Sequence, residues 1–102
     1  MQVSQSFSAG GGTLGLVGRF DFNSHRDFRD AYETLLKTEG IRTLEVNLSR
    51  VEYLDSSALG MLLLLRERAT ERNVTISLTG CTGTVKQILE IANFNKIFTM
   101  NA

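Results

Sequence analysis

The sequence predicts a small α/β sandwich: a mixed β-sheet of four to five strands with helices packed on it. Three observations predict it. Segments with period-two hydrophobicity take turns along the chain with segments of helical period. Strands separated by helices need crossover connections, which favour parallel neighbours and helices on at least one face of a sheet. The 102 residues suffice for one domain and leave no room for a second. A chain of this size buries roughly 65% of the surface its unfolded form exposes, enough for one core without staples. A single domain over residues 1–102 is therefore expected.

The elements follow in order. Val3, Gln5 and Phe7 alternate with Ser4, Ser6 and Ser8 as a strand does. Gly10-Gly11-Gly12 breaks the pattern, and Thr13 to Gly18 resumes it with Leu14, Leu16 and Val17, so the pair reads as a hairpin. No Lys-Ser/Thr and no helix follows these glycines, which sets a phosphate-cradling role aside. Ser24 is the expected N-cap of the first helix, and Asp27 suits its first turn. Phe28, Ala31, Tyr32, Leu35 and Leu36 make one apolar stripe, and Gly40 is the expected stop.

Leu44, Val46 and Leu48 alternate with Thr43, Glu45 and Asn47 in the next strand, and Val51, Tyr53 and Leu54 lead to Asp55-Ser56-Ser57. A second helix runs from there to about Arg72. Its first half, with Ala58, Leu59 and Met61 to Leu65, is apolar over most of its circumference and is expected to be mostly covered. Val74, Ile76 and Leu78 form a further strand. Thr82 or Thr84 is placed to cap a third helix with Val85, Ile88, Leu89 and Ala92 inward, and Ile97-Phe98 closes the chain.

Composition narrows the function. Eleven basic residues balance eleven acidic ones, so the chain lacks the basic excess of a broad nucleic-acid footprint. Cys81 stands alone, without a second Cys or paired His for a disulfide or zinc site, and reads as a structural thiol. The start, Met1-Gln2-Val3-Ser4-Gln5, shows no signal-peptide pattern. The longest apolar run, Met61 to Leu65, is far below the roughly 18 residues that cross a bilayer. A cytosolic protein with no membrane segment is the expectation.

The informative stretch is Tyr53-Leu54-Asp55-Ser56-Ser57-Ala58-Leu59-Gly60, where a strand hands over to a helix within three short polar residues. Capping of free backbone N–H groups is the plain structural reading. One cap suffices where three candidates stand. Leu59 and Met61 lie just beyond and are expected to leave apolar surface beside the serines. A phosphate on a hydroxyl at a helix start meets free N–H donors and the positive end of the macrodipole, so the fold survives it. The surface nonetheless gains about −1.5 to −2 charges. With Asp55 adjacent and Asp21 expected nearby, a partner presenting an acidic or apolar face would be repelled.

Leu54-Asp55-Ser56-Ser57-Ala58-Leu59-Gly60, followed by a leucine-rich helix, resembles the Asp-Ser-Ser/Thr-Gly-Leu-Gly signature of the anti-sigma factor antagonists, the stand-alone phosphorylatable STAS domains. Weaker matches extend the resemblance over nearly the whole chain. Gly18-Arg19-Phe20-Asp21 stands where that family has Gly-Glu-Leu/Ile-Asp, Leu44 to Tyr53 resembles its central strand, and Val85 to Phe98 resembles its last helix.

The resemblance implies a STAS-type sandwich that binds an anti-sigma factor or related serine kinase and so releases a sequestered transcription regulator. It makes Ser56 the phosphate acceptor, a PP2C-type phosphatase the reversing enzyme, Asp21 and Asp55 the flanking carboxylates and Ser57 the helix cap. Asp21, Asp55, Ser57, Leu59 and Met61 are the expected partner-binding residues, with no cofactor or metal.

Two departures stand out: Ala58 replaces the usual Gly, and Arg19-Phe20 replaces Glu-Leu/Ile. Arg19, Phe22 and His25 mark a subfamily with its own partner, and Arg19 is placed to pair with Asp21, Asp55 or a phosphate on Ser56. Catalysis is not expected, because His25 is the one histidine, reads as a first-turn surface residue, and no Gly-x-Ser-x-Gly elbow is present. The loop Gly80-Cys81-Thr82-Gly83-Thr84-Val85-Lys86 has the wrong order for a P-loop and reads as a helix start. The alternative to a phospho-switch is a constitutive STAS scaffold subunit of a larger complex.

Overall fold

The computed structural model describes residues 1–101. Its elements are β1 (Gln2–Ser8), β2 (Gly11–Phe20), α1 (His25–Leu36), β3 (Thr43–Leu54), α2 (Ser56–Glu71), β4 (Thr75–Thr79), α3 (Gly83–Ile91) and β5 (Thr99–Met100), with short 3-10 turns at Phe22–Ser24 and Phe94–Lys96. The expected mixed sheet has five strands in the order β1-β2-β3-β4-β5. β1 pairs with β2 antiparallel, and every later pairing is parallel. Strands that add in sequence order through right-handed crossovers place their helices on one face. The burial pattern agrees: Leu14, Leu16, Leu44, Val46, Leu48, Ile76 and Leu78 are buried, while Thr13, Gly15, Glu45, Asn47, Ser77 and Thr79 between them stay partly accessible.

The first hairpin is tighter than the glycine cluster suggested. Ser8 pairs with Gly11, leaving Ala9-Gly10 as a two-residue turn. Both residues have positive φ, 51° and 84°, the type I′ geometry that matches strand twist. Gly11 and Gly12 therefore belong to β2, whose start the sequence had suggested at Thr13.

β3 is one continuous strand of 12 residues, but β4 pairs only with its Thr43–Asn47 half. The remainder pairs with β2 through irregularities at Gly15/Val17 and Gly18/Arg19. These shifts bring Val51 and Leu54 to the buried side along with Leu44, Val46 and Leu48. α3 packs against β3, with Val85 and Leu89 in the common core.

Helix α1 buries the predicted stripe Phe28, Ala31, Tyr32, Leu35 and Leu36. It starts where expected, with Ser24 in the N-cap position and His25 as the first helical residue, but the capping bond and the helix end differ from expectation. Ser24 makes no side-chain bond to the helix; it sits buried in the preceding 3-10 turn, whose cap is Asp21. α1 stops at Leu36 with Lys37 as C-cap, and Gly40 lies beyond it in the connecting turn. Thr82 takes the N-cap position of α3 without a side-chain bond. Thr79 to Gly83 is thus closed by backbone and burial rather than by a hydroxyl cap.

Helix α2 buries Ala58, Met61, Leu62, Leu65 and Ala69, the i, i+3, i+4, i+7, i+11 face of a helix lying on a sheet. Met61 is only 5% exposed and therefore forms core, correcting its expected place on an exposed docking surface. Leu63 and Leu64, expected to be covered, are 40% and 48% exposed because they fall on the outward side of that spacing. Among the described residues no helix is long and apolar enough to cross a membrane.

Candidate functional site

The parallel strands β2 and β3 end in register, Phe20 beside Leu54, so the two chain segments that follow start side by side. Each begins with an aspartate in extended conformation whose carboxylate caps a turn of helix. Asp21 Oδ1 accepts the Asn23 N–H at 3.0 Å, and Ser24 Oγ accepts the Asp21 N–H at 3.3 Å while donating to the Arg19 carbonyl at 3.2 Å. Asp55 Oδ1 accepts the Ala58 N–H at 2.9 Å. The Asp55 N–H donates to the Phe20 carbonyl at 3.3 Å, which ties the two caps together. The expected proximity of Asp21 and Asp55 thus has a backbone cause.

Asp55, not Ser57, caps α2, a correction to the role the resemblance gave that serine. A carboxylate on an extended residue reaches the third N–H of the helix, whereas Ser57 already lies inside the first turn. Ser56 is the first helical residue and is exposed; Ser57 is half-buried behind it. The first intrahelical bond is the one from Leu59 N–H to Asp55 C=O, at 3.2 Å, so the N–H groups of Ser56 and Ser57 precede it. The capping duty is discharged without either hydroxyl.

Around Ser56 the surface mixes charge and aromatic rings. Arg19 faces Tyr53 across the strands, its guanidinium 5.0 Å from the ring centroid and 3.9 Å from the Asp21 carboxylate. It therefore offsets part of the negative field of Asp21. Phe22 projects from the 3-10 turn and is 72% exposed. Tyr53 is also exposed, and Leu59 is half-buried against the core. His25, the first residue of α1, is exposed. Sequence reasoning missed Tyr53 as a surface element and Leu63 and Leu64 as an exposed apolar continuation along α2. The available signal was the spacing of Ala58, Met61, Leu62 and Leu65, which leaves Leu63 and Leu64 outside.

This arrangement can present an accessible hydroxyl at a helix start, flanked by two carboxylates and bordered by apolar side chains. A phosphate there would meet N–H donors without displacing a cap. Among the described residues no group of three or more His, Cys, Asp and Glu is placed to hold a metal ion.

The chain is similar to known proteins along nearly its whole length. A family model described as "Mlab, STAS domain" matches residues 3–100. A STAS-domain containing protein of Pseudomonas aeruginosa (strain UCBPP-PA14) is 51% identical over 89 residues, covering 87% of this chain and 86% of that one. Among solved structures, an anti-sigma factor antagonist from Mycobacterium paratuberculosis superposes with a TM-score of 0.85 at 16% identity, over 98% of this chain and 84% of that one. The Bacillus cell fate determinant SpoIIAA in its phosphorylated form gives a TM-score of 0.75 at 17% identity, over 99% and 91% of the two chains. The anti-sigma factor antagonist SpoIIAA in its unphosphorylated form gives 0.74 at 16% identity, over 97% and 86%. These distant likenesses carry the fold.

Proposed function

This chain belongs to the STAS domain family, and from that premise we propose that it is a phosphorylation-controlled binding protein, an anti-sigma factor antagonist. In this reading the unmodified chain docks an anti-sigma factor or related serine kinase at the Ser56 end of the sheet and so releases a transcription regulator in the cytoplasm. Phosphorylation of Ser56 by the partner kinase switches docking off, and a PP2C-type phosphatase restores it. The role is binding, with no chemistry performed by the chain and no direct contact with nucleic acid.

One observation carries the reading: Ser56 is exposed at the first position of α2 while Asp55 alone provides the cap. A group in that position can gain about −1.5 to −2 charges without a change of fold. Asp21 and Asp55 intensify the field a docking partner meets; Phe22, Tyr53 and Leu59 offer it apolar contact. Arg19, held between Asp21 and Tyr53, tunes that field and with Phe22 and His25 sets partner choice. The fold neighbour SpoIIAA, described as an anti-sigma factor antagonist, has been solved in both phosphorylated and unphosphorylated forms, which supports the analogy.

The test uses three chains. The Ser56→Ala variant serves as bait in extract of the source cell, and the captured kinase or anti-sigma factor is then titrated calorimetrically with wild type, Ser56→Ala and Ser56→Asp. Tight binding by wild type and Ser56→Ala, with at least a tenfold loss for Ser56→Asp, is expected. Equal affinity for all three would replace the switch with a constitutive scaffold subunit.

A further inference from the structure

The two edges of the sheet are unequal. One is β5, a strand of two residues. The other is β1, seven residues of sequence Gln-Val-Ser-Gln-Ser-Phe-Ser, without a charge, a proline or a bulge against β2. Soluble proteins usually blunt such an edge with lysine, proline or a bulge, because its free N–H and C=O groups template pairing with another chain. From Val3 to Ser8 the edge is half-buried or exposed, with Phe7 39% exposed.

The two-residue turn fixes which groups are free. In a hairpin of this type the residues flanking the turn, Ser8 and Gly11, form a hydrogen-bonded pair, and the pattern then alternates. Ser8, Ser6, Ser4 and Gln2 therefore bond to β2, while Val3, Gln5 and Phe7 direct their N–H and C=O groups away from it. These are the groups an added strand would meet.

The strand is also self-complementary about its centre. An antiparallel copy placed with the dyad at Gln5 sets Gln5 opposite Gln5, Ser4 opposite Ser6, Val3 opposite Phe7 and Gln2 opposite Ser8. On the helix side of the sheet Val3 then meets Phe7 to either side of the Gln5 pair, and on the other side Ser4 meets Ser6. The same register brings the free residues into three hydrogen-bonded pairs, Val3 with Phe7, Gln5 with Gln5 and Phe7 with Val3. A register shifted by one residue would lose both matches. A groove of about 630 Å³ lies between β1 and α1, with Val3 and Gln5 on the strand side and Asp27, Asp30, Ala31 and Thr34 on the helix side.

We propose that β1 is a homodimerisation edge, at which a second copy of this chain pairs antiparallel about a two-fold axis through Gln5 to make a continuous ten-stranded sheet. The interface is isologous, the commonest form of homo-oligomer contact. It is carried by backbone bonds and one apolar pair per half, so the dimer is concentration-dependent.

Sedimentation velocity over a concentration series, up to millimolar, tests this on the full chain. Wild type is expected to pass from monomer to dimer. Gln5→Lys and Gln5→Glu each place like charges directly opposite at the dyad and should each weaken self-association about fivefold. Their equimolar mixture should regain a dimer containing one of each. A Gln5→Cys variant should form a disulfide-linked dimer on mild oxidation, because Cα atoms in a hydrogen-bonded antiparallel pair lie about 5.5 Å apart, within disulfide range. Cys81 is buried and should not compete. A wild type that stays monomeric throughout would overturn the proposal. So would a dimer that all three substitutions leave unchanged, or one in which β1 pairs only with a strand of another protein.

Discussion

Three times at the same end of the sheet the chain turns from a parallel strand into a helix, and the second and third of these turns, after β3 and after β4, are built in opposite ways. Between β3 and α2 a single residue, Asp55, makes the connection, and its carboxylate caps the helix. Between β4 and α3 three residues intervene, Gly80-Cys81-Thr82, and Thr82 gives no side-chain cap. There the chain is held by packing and backbone bonds. Gly80 presses against Ser49, and the Cys81 N–H donates to the Asn101 carbonyl at 3.1 Å. The two junctions also treat their reactive side chains differently. Ser56 is exposed, whereas Cys81 is only 2% exposed. A cap made by a neighbouring carboxylate frees the first-turn hydroxyl for other use; a turn closed by packing seals its thiol in.

The sharpest way to break this contrast is at Gly80. A Cβ there would lie 2.5 Å from Ser49 N, and the φ of +68° is one that side chains rarely adopt. Both the overlap and the backbone strain oppose Gly80→Ala, so a loss of about 3 kcal/mol is expected in urea titrations followed by circular dichroism. A loss below about 1 kcal/mol would show that the turn yields and that packing does not seal it. The buried thiol gives a second probe. Burial pushes the Cys81 thiol above its ordinary range, although the backbone bond and Lys86 act the other way. The folded chain thus holds this proton more tightly than the unfolded one. That stability is fully present below the ordinary thiol pKa of about 8.5 and is lost as pH rises through the folded value. Wild type should therefore lose stability with rising alkaline pH more steeply than Cys81→Ala. Alkylation of Cys81 should also be slow until urea unfolds the chain.

On the Ser56 side the expected effect is smaller. Asp55→Ala removes the acceptor for the Ala58 N–H and should cost about 1 kcal/mol, with Asp55→Asn recovering most of it. If Asp55→Ala leaves the urea midpoint unchanged, then a serine has taken over the cap, and the hydroxyls at the start of α2 are not free of structural duty.

Much of this contrast was legible in the residues. The stripe of α1 and the alternation of β3 and β4 appear where local period and burial coincide. The strand-to-helix site at Asp55 was legible for the same reason, since short polar residues between two strong apolar patterns have few other uses. What escaped depended on tertiary pairing. β5 is two residues long and exists because Leu78 and Asn101 bond across it. The choice of Asp55 over Ser57 as cap depends on the extended backbone that its bond to Phe20 imposes. Asp21 was expected near Ser56 but not as a cap, because the local pattern that marks Ser24 as the N-cap of α1 does not reveal the three-residue 3-10 turn that precedes it. Met61 and Leu63 exchanged their expected roles because a run of five apolar residues does not reveal which side of the helix meets the sheet.

The smallest expected effect is the one that most sharpens the comparison. If Ser56 has no structural duty, Ser56→Ala should shift stability by no more than about 0.5 kcal/mol. Ser56→Asp should do no worse. A carboxylate in the first turn of α2 gains from the macrodipole, by about 0.3–1 kcal/mol, and loses part of this to the neighbouring charge of Asp55. Both variants should therefore unfold with wild-type cooperativity while differing widely in partner affinity. That dissociation of stability from binding separates a switch from a damaged fold. A Ser56→Asp chain that loses more than about 2 kcal/mol would mean that added charge disrupts α2 itself. Loss of docking would then report unfolding, and the exposed hydroxyl at Asp55-Ser56 would be no freer than the sealed thiol at Cys81.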